Sequence, residues 1–199
     1  MARPRTISDE QIVEAARVVF TRDGVAASTA TVAREAGVSE GTVFRRFPTK
    51  AALFQRAMSL AGEWQLDLEA RIGCGDLQDQ LAAVAVELTE GMRRLLPRMM
   101  ALASSGSHPH EVWRANPDAA PVAVLEALTA YFGAEMRIGR VAQGDPEVIA
   151  RVLVGSVHNY VFLEYMGVHA RVPMASPAFA ISLAQLLMRG LDPGARPAT

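Results

Sequence analysis

The chain has 199 residues, enough to bury a sizeable core as one large domain or as a small domain joined to a larger one. Half of the residues are apolar, yet no run long enough to cross a bilayer lacks polar side chains, which excludes a membrane span from the reading. The formal net charge of −1 conceals an asymmetry: residues 1–56 carry nine Lys/Arg against six Asp/Glu, and the remainder carries eleven against fifteen, so a basic head suited to a polyanion precedes an acidic body.

In chain order, the opening Met1-Ala2-Arg3-Pro4-Arg5 is basic and leads into an amphipathic segment without an apolar signal region, so the expected location is cytoplasmic. Ser8 and Gln11 have capping-box spacing, and Ile12, Ala15, Ala16, Val19 and Phe20 form the apolar stripe of a first helix, which Gly24 is placed to close with a left-handed cap. Ser28 caps a short second helix with Val32, Ala33 and Ala36 facing inward, and Gly37 ends it. Ser39 caps a third helix through Phe44 or beyond. Thr49 caps a fourth, expected to be long and to run towards Ile72. Cys74 is the sole cysteine, which excludes an internal disulfide and a cysteine metal cage.

Residues 76–103 read as an amphipathic helix that Pro97 kinks or ends, and a loop rich in Ser, His, Pro and Gly follows to about Asn116. Asn116-Pro117 or Asp118 opens a helix expected to reach Val141. Asp145-Pro146 places a cap before a proline at the first helical position and starts a helix to about Gly167. Ser176-Pro177 repeats that signal for a last helix, closed by Gly190 and Pro193. Strand-like alternation and internal repeats are absent from the sequence.

The functional signal is concentrated between Ser28 and Phe54. Two short helices packed almost in touch require a small residue facing the partner, a turn that tolerates positive φ, and an apolar anchor beneath the second helix. Ala33, Gly37 and Val43 meet these requirements at the right spacing, with Val38 sealing the turn. The outer face of the second helix is then free to enter a major groove. On its own this spacing would suit many helical hairpins.

Its surroundings narrow it. Over about residues 8–56, Ser28, Val32-Ala33, Ala36-Gly37-Val38-Ser39, Gly41-Thr42, Phe44, Phe47, Lys50 and Leu53 resemble the TetR family of bacterial repressors. The sequence departs at Phe44, where that family usually carries Tyr. The resemblance implies an all-α protein: an N-terminal three-helix helix-turn-helix DNA-binding domain (residues 1–56), joined by a long helix to a larger helical ligand-binding and dimerisation domain (residues 57–199). It implies a regulator, not an enzyme, that binds double-stranded operator DNA. In these terms Ser28 and Thr29 present hydroxyls and backbone N–H groups to a phosphate. Ser39, Gly41 and Thr42 open the recognition helix, and Phe44 packs on sugar and backbone. Arg45 and Arg46 are candidate guanine readers or phosphate clamps, with a merely solvated role for either left open. Lys50 holds a phosphate, Arg3 and Arg5 form an arm, and Glu40 complements the helix dipole rather than reading cytosine.

The last two helices carry few charges. From Val152 to Leu163 there is none, and between Pro177 and Gly190 the polar side chains Ser182, Gln185 and Arg189 form one narrow stripe, so cover is needed on more than one side. Burial within one subunit and pairing with a second copy both satisfy this, and the resemblance implies the second: a homodimer with two heads about one DNA turn apart (~34–36 Å) on a near-palindromic operator. Met92, Leu95, Leu96, Met99 and Met100 offer adaptable apolar walls for a small-molecule ligand, and Trp113, Tyr131, His158, Asn159 and Phe162 add further walls and polar contacts, although each is also compatible with plain core. The expected signal path is the fourth helix. Two alternatives stand: a DNA binder that is architectural or answers to a partner protein without a small-molecule inducer, and a metal-dependent hydrolase using His108, His110 and Glu111. The latter lacks an HExxH or cysteine set, and no cofactor is called for.

Overall fold

A computed structural model describes residues 7–59, 66–106 and 120–191. Every regular element among them is helical, in eight α-helices and two 3-10 turns. They divide into two compact units, one built on residues 7–59 and 97–106 and the other on 66–96 and 120–191.

In the first unit, α1 (Asp9–Asp23) opens with the expected capping box: Gln11 N–H donates to Ser8 Oγ at 3.2 Å, and Ser8 N–H donates to Gln11 Oε1 at 2.9 Å. It ends at Gly24, whose φ of 75° is positive but whose ψ of −176° is extended, so the cap is not the left-handed one that the sequence suggested. Three further helices follow, α2 (Thr29–Ala36), α3 (Glu40–Arg46) and α4 (Lys50–Ala57), capped in turn by Ser28, Ser39 and Thr49, each side-chain oxygen accepting a backbone N–H three residues on. Ile12, Ala16, Val19, Phe20, Val32, Val43 and Leu53 are fully buried at the centre of these helices. Phe20 and Phe54 meet edge to face at 5.2 Å.

The fourth helix is short. The sequence suggested that it continues to Ile72, but α4 ends at Ala57, with Met58 as its cap. The cause lies far along the chain: the carbonyl of Ser59 accepts from Arg98 Nη1 at 3.1 Å, and Arg98 is itself buried (4% exposed). Arg17 Nε donates to the carbonyl of Ala57 at 3.2 Å, so a second guanidinium serves the same helix end.

In the second unit, a strap of residues 66–72 containing the 3-10 turn Glu69–Arg71 leads into α5 (Leu77–Ser104), which carries Pro97 within its length. Residues up to Leu96 of this helix belong to the second unit, and those from Pro97 to the first, where Ala101 joins the core. Next comes α6 (Ala120–Arg137); its expected capping signal at residues 116–118 lies outside the described residues. It stops at Arg137 and not at Val141, because Gly139 (φ 77°) turns the chain back so that Gly139 and Arg140 N–H donate to the carbonyls of Met136 and Glu135. In α7 (Pro146–Tyr165) the carboxylate of Asp145 accepts from Glu147 and Val148 N–H. The last helix, α8 (Ser176–Leu191), runs through Gly190, which therefore does not close it; Pro193 lies outside the described residues. Tyr160 of α7 stacks on Phe179 of α8 at 4.3 Å.

Candidate nucleic-acid interface and ligand cavity

The helix pair α2–α3 owes its geometry to three small facts of sequence. Ala33 (3% exposed) lets the helices close, Gly37 sits in the left-handed region (φ 68°, ψ 31°) that a side chain disfavours, and Val43 is wholly buried beneath α3. Val38 N–H donates to the carbonyl of Ala33 at 2.9 Å and closes the turn. With Val43 pointing inward, Gly41, Phe44 and Arg45 are exposed on the far side and Thr42 is half-buried beside them. Gly41 is ordinary helix; a Cβ placed there would meet only Ser39 Oγ, at 3.9 Å. Nothing within the fold asks for a glycine at that position.

The other candidate DNA residues divide into exposed and engaged. Ser28 and Ser39 are exposed caps whose hydroxyls lie 3.0 and 2.9 Å from those of Thr31 and Thr42. Lys50 is half-buried at the start of α4, and no partner of its ammonium is seen among the described residues. Thr29 is different: it is 8% exposed and its hydroxyl donates to Glu40 Oε1 at 2.6 Å, so only its backbone N–H is left for a phosphate. Glu40 stays exposed, with one carboxylate oxygen held by the same bond. Arg46, expected to face the groove beside Arg45, is ion-paired with Asp9 of α1 and its side chain is only 23% exposed, because successive helical residues diverge by about 100°. Thus Arg45 is the arginine of the pair that α3 presents openly. Arg3 and Arg5 lie outside the described residues.

Residues 12–57 match the family model described as bacterial regulatory proteins, tetR family. The match identifies this N-terminal segment as a DNA-binding domain of the tetR type. The chain also resembles solved structures over nearly its whole length. FadR from Bacillus subtilis, solved with stearoyl-CoA, aligns with a TM-score of 0.66 at 18% identity, covering 92% of this chain and 100% of that one. A TetR-like transcriptional regulator from Rhodococcus sp. RHA1 gives 0.63 at 20% identity over 95% and 98%. NalD, the secondary repressor of the MexAB-OprM multidrug efflux pump in Pseudomonas aeruginosa, gives 0.57 at 21% over 92% and 94%. At these identities the likeness is one of fold.

The second unit holds an open cavity of about 420 Å³. Its strap side is Leu66, Asp67, Leu68, Glu69 and Ile72, and its helical side is Ala127, Ala130, Tyr131, Ala134 and Arg137 of α6. Of the residues singled out from the sequence for ligand contact, Tyr131 alone is among these walls. Met92 and Leu96 are buried in the second unit; Met99 (half-buried) and Met100 (38% exposed) belong to the first, and Trp113 lies outside the described residues. His158 and Asn159, expected to face inward, are exposed on α7, where His158 stacks on the half-buried Phe162 at 6.2 Å. The uncharged stretch around them is thus not buried all round.

Sequence reasoning missed the buried charge behind the cavity. Glu135 is 0% exposed; its Oε1 accepts from Gly73 N–H at 2.8 Å, and its Oε2 lies 3.4 Å from Arg140 Nε. Arg140 in turn donates to the carbonyls of Cys74 and Gly75, at 3.2 and 2.7 Å. No local pattern announces such a carboxylate, since its partner is 62 residues away in sequence. Among the described residues no helix is long and apolar enough to cross a membrane, and no group of His, Cys, Asp and Glu is placed to hold a metal ion. His108, His110 and Glu111 lie outside them.

Proposed function

We propose that this regulator is a repressor that binds a near-palindromic operator as a homodimer and is released by a small apolar or amphipathic ligand. The observation that carries the DNA half is α3, anchored by the buried Val43 and exposing Gly41, Phe44 and Arg45 on one face. In this reading α3 lies in the major groove, Arg45 reads a base, and Ser28, Ser39, Thr42 and Lys50 hold flanking phosphates. Phe44, without the hydroxyl usual in the family, packs on the sugar-phosphate edge. Arg46 acts with Asp9 as a brace between α1 and α3.

The dimer half is supported by large apolar side chains that α7 and α8 each leave exposed. On α7 these are Val148 (54% exposed) and Val152 (47%), with Gly155, His158 and Asn159 also exposed, and on α8 they are Ile181 (49%) and Leu186 (67%). Apolar residues so exposed on neighbouring helices suit a second copy of the same surface. His158 and Asn159 then serve subunit pairing and not the ligand. Inducer response is supported by the cavity in the second unit, and by the stearoyl-CoA bound in the similar fold of the Bacillus subtilis protein. Selection of binding sites from genomic DNA by the purified protein tests the reading: an inverted-repeat site occupied by two chains is expected, and an asymmetric site held by one chain would overturn it.

A further inference from the structure

The first residue of α3, Glu40, places an acid on the face of that helix which otherwise suits DNA. Counted at about 100° per residue, Glu40, Gly41, Phe44 and Arg45 fall within an arc of about 140°, and all four are exposed. Val43 and Arg46 lie outside that arc, the first buried and the second paired with Asp9. Glu40 stands at one edge, where the Thr29 hydroxyl of α2 donates to its Oε1 at 2.6 Å. Thr29 is 8% exposed, so the bond ties the carboxylate to a fixed point of the fold. The other oxygen, Oε2, has no partner among the described residues. A charge that merely answers the helix dipole needs no such tether, and a neutral glutamine would accept from Thr29 equally well.

Beside a duplex, the second oxygen can only accept a hydrogen bond. Phosphate oxygens offer none and repel it. In the major groove guanine and thymine present acceptors, and the donors are the amino groups of adenine and cytosine. The adenine amino group is flanked by two acceptors, its own N7 and the thymine O4 across the pair. That of cytosine is flanked by one, the guanine O6. A carboxylate is therefore best received by cytosine.

We infer that Glu40 is a specificity-determining residue that selects cytosine at one operator position, its Oε2 accepting from the N4 amino group while Thr29 holds Oε1. The inference deepens the repressor reading proposed above and rests on α3 lying in the major groove. The groove-facing side of α3 then carries an acceptor at Glu40 and donors at Arg45. The same carboxylate weakens binding wherever its position meets only phosphates and acceptors, so it sharpens choice by repulsion as well as by contact.

Selection of sites from a randomised duplex library by the full chain and by Glu40→Gln tests the assignment. Glutamine keeps the oxygen that Thr29 needs and replaces the free acceptor with an amino donor. The unaltered chain is expected to require cytosine at one position of each half-site, and thymine there should weaken binding about tenfold, the measure of one charge-assisted hydrogen bond. Glu40→Gln should lose that requirement alone, bind random-sequence DNA more tightly, and keep the melting temperature. Thr29→Val, of nearly the same shape, frees the carboxylate and should reduce the discrimination without changing the preferred base. An unchanged base profile for Glu40→Gln, or a Glu40-dependent position that selects another base, would overturn the inference. Preference lost at every position together with a lowered melting temperature would make Glu40 a structural brace, and overturn it too. Discrimination untouched by Thr29→Val would refute the tether. A chain that selects no sequence at all would refute the operator reading, and this inference with it. An inverted repeat selected alike with and without Glu40 refutes the inference alone.

Discussion

Gly41→Ala isolates what α3 does for DNA from what it does for the fold. Gly41 is the second residue of α3, in ordinary helical conformation, and an added Cβ has a single neighbour, Ser39 Oγ, at 3.9 Å. Alanine exceeds glycine in helix propensity by about 0.8–1.0 kcal/mol in a helix interior, and somewhat less is expected in the first turn. The variant should therefore be more stable by about 0.5–1 kcal/mol, which for a chain of this size raises the melting temperature by roughly 1–4 °C. The same methyl projects from the exposed side of the helix, where the backbone is free to approach a duplex closely. Loss of even one phosphate or base contact there corresponds to about 1.4 kcal/mol, or tenfold in affinity. Stability and operator affinity should thus move in opposite directions, as read by calorimetry and by fluorescence anisotropy on the selected site. A variant that is less stable would show that the glycine serves the fold. One that is stabilised and binds DNA unchanged would show that the first turn of α3 does not approach the duplex, and the proposed docking would be wrong.

Arg45→Ala should cost about 1–3 kcal/mol at one base position and relax sequence preference there, whereas Lys50→Ala should weaken all sites alike and lower the salt slope by about one; competition binding at several salt concentrations distinguishes them. Gly37→Ala forces a side chain into left-handed backbone and should destabilise the first unit by about 1–2 kcal/mol, seen as a lower denaturation midpoint, even though its added Cβ meets nothing within 4 Å. Leu186→Asp, at the most exposed apolar position of α8, should leave the helical circular dichroism intact and shift sedimentation to that of a single chain; an unchanged dimer would place the interface elsewhere.

How much of this was legible in the sequence depended on how local the cause was. The caps at Ser8, Ser28, Ser39 and Thr49 and the Ala33, Gly37 and Val43 spacing are settled within a few residues, and the helices they imply are present. The end of α4 was not legible, since the letters after Ala57 remain compatible with helix and the carbonyl of Ser59 is taken by an arginine 39 residues on. The inward engagement of Thr29 and Arg46 was likewise hidden, because each partner, Glu40 and Asp9, lies on another helix. Two misreadings had signals that were passed over. Ile138-Gly139 carried the stop of α6, and Val148, Val152, Gly155 and Asn159 recur at four, three and four residues, the mark of one helical face. Tyr131 was identifiable as an aromatic on α6, but the burial of its hydroxyl beside Glu135 belongs to the three-dimensional packing alone.

The amide of Gly73 is satisfied by a carboxylate whose residue follows 62 positions later, and the guanidinium that balances that carboxylate also clamps the two carbonyls just beyond Gly73. The turn that closes the strap has local bonds, such as Cys74 N–H to the carbonyl of Arg71, and is held from outside as well by the C-terminal end of α6. The two walls of the cavity are therefore tied together at one end, through a carboxylate and a guanidinium that both belong to the later stretch of chain.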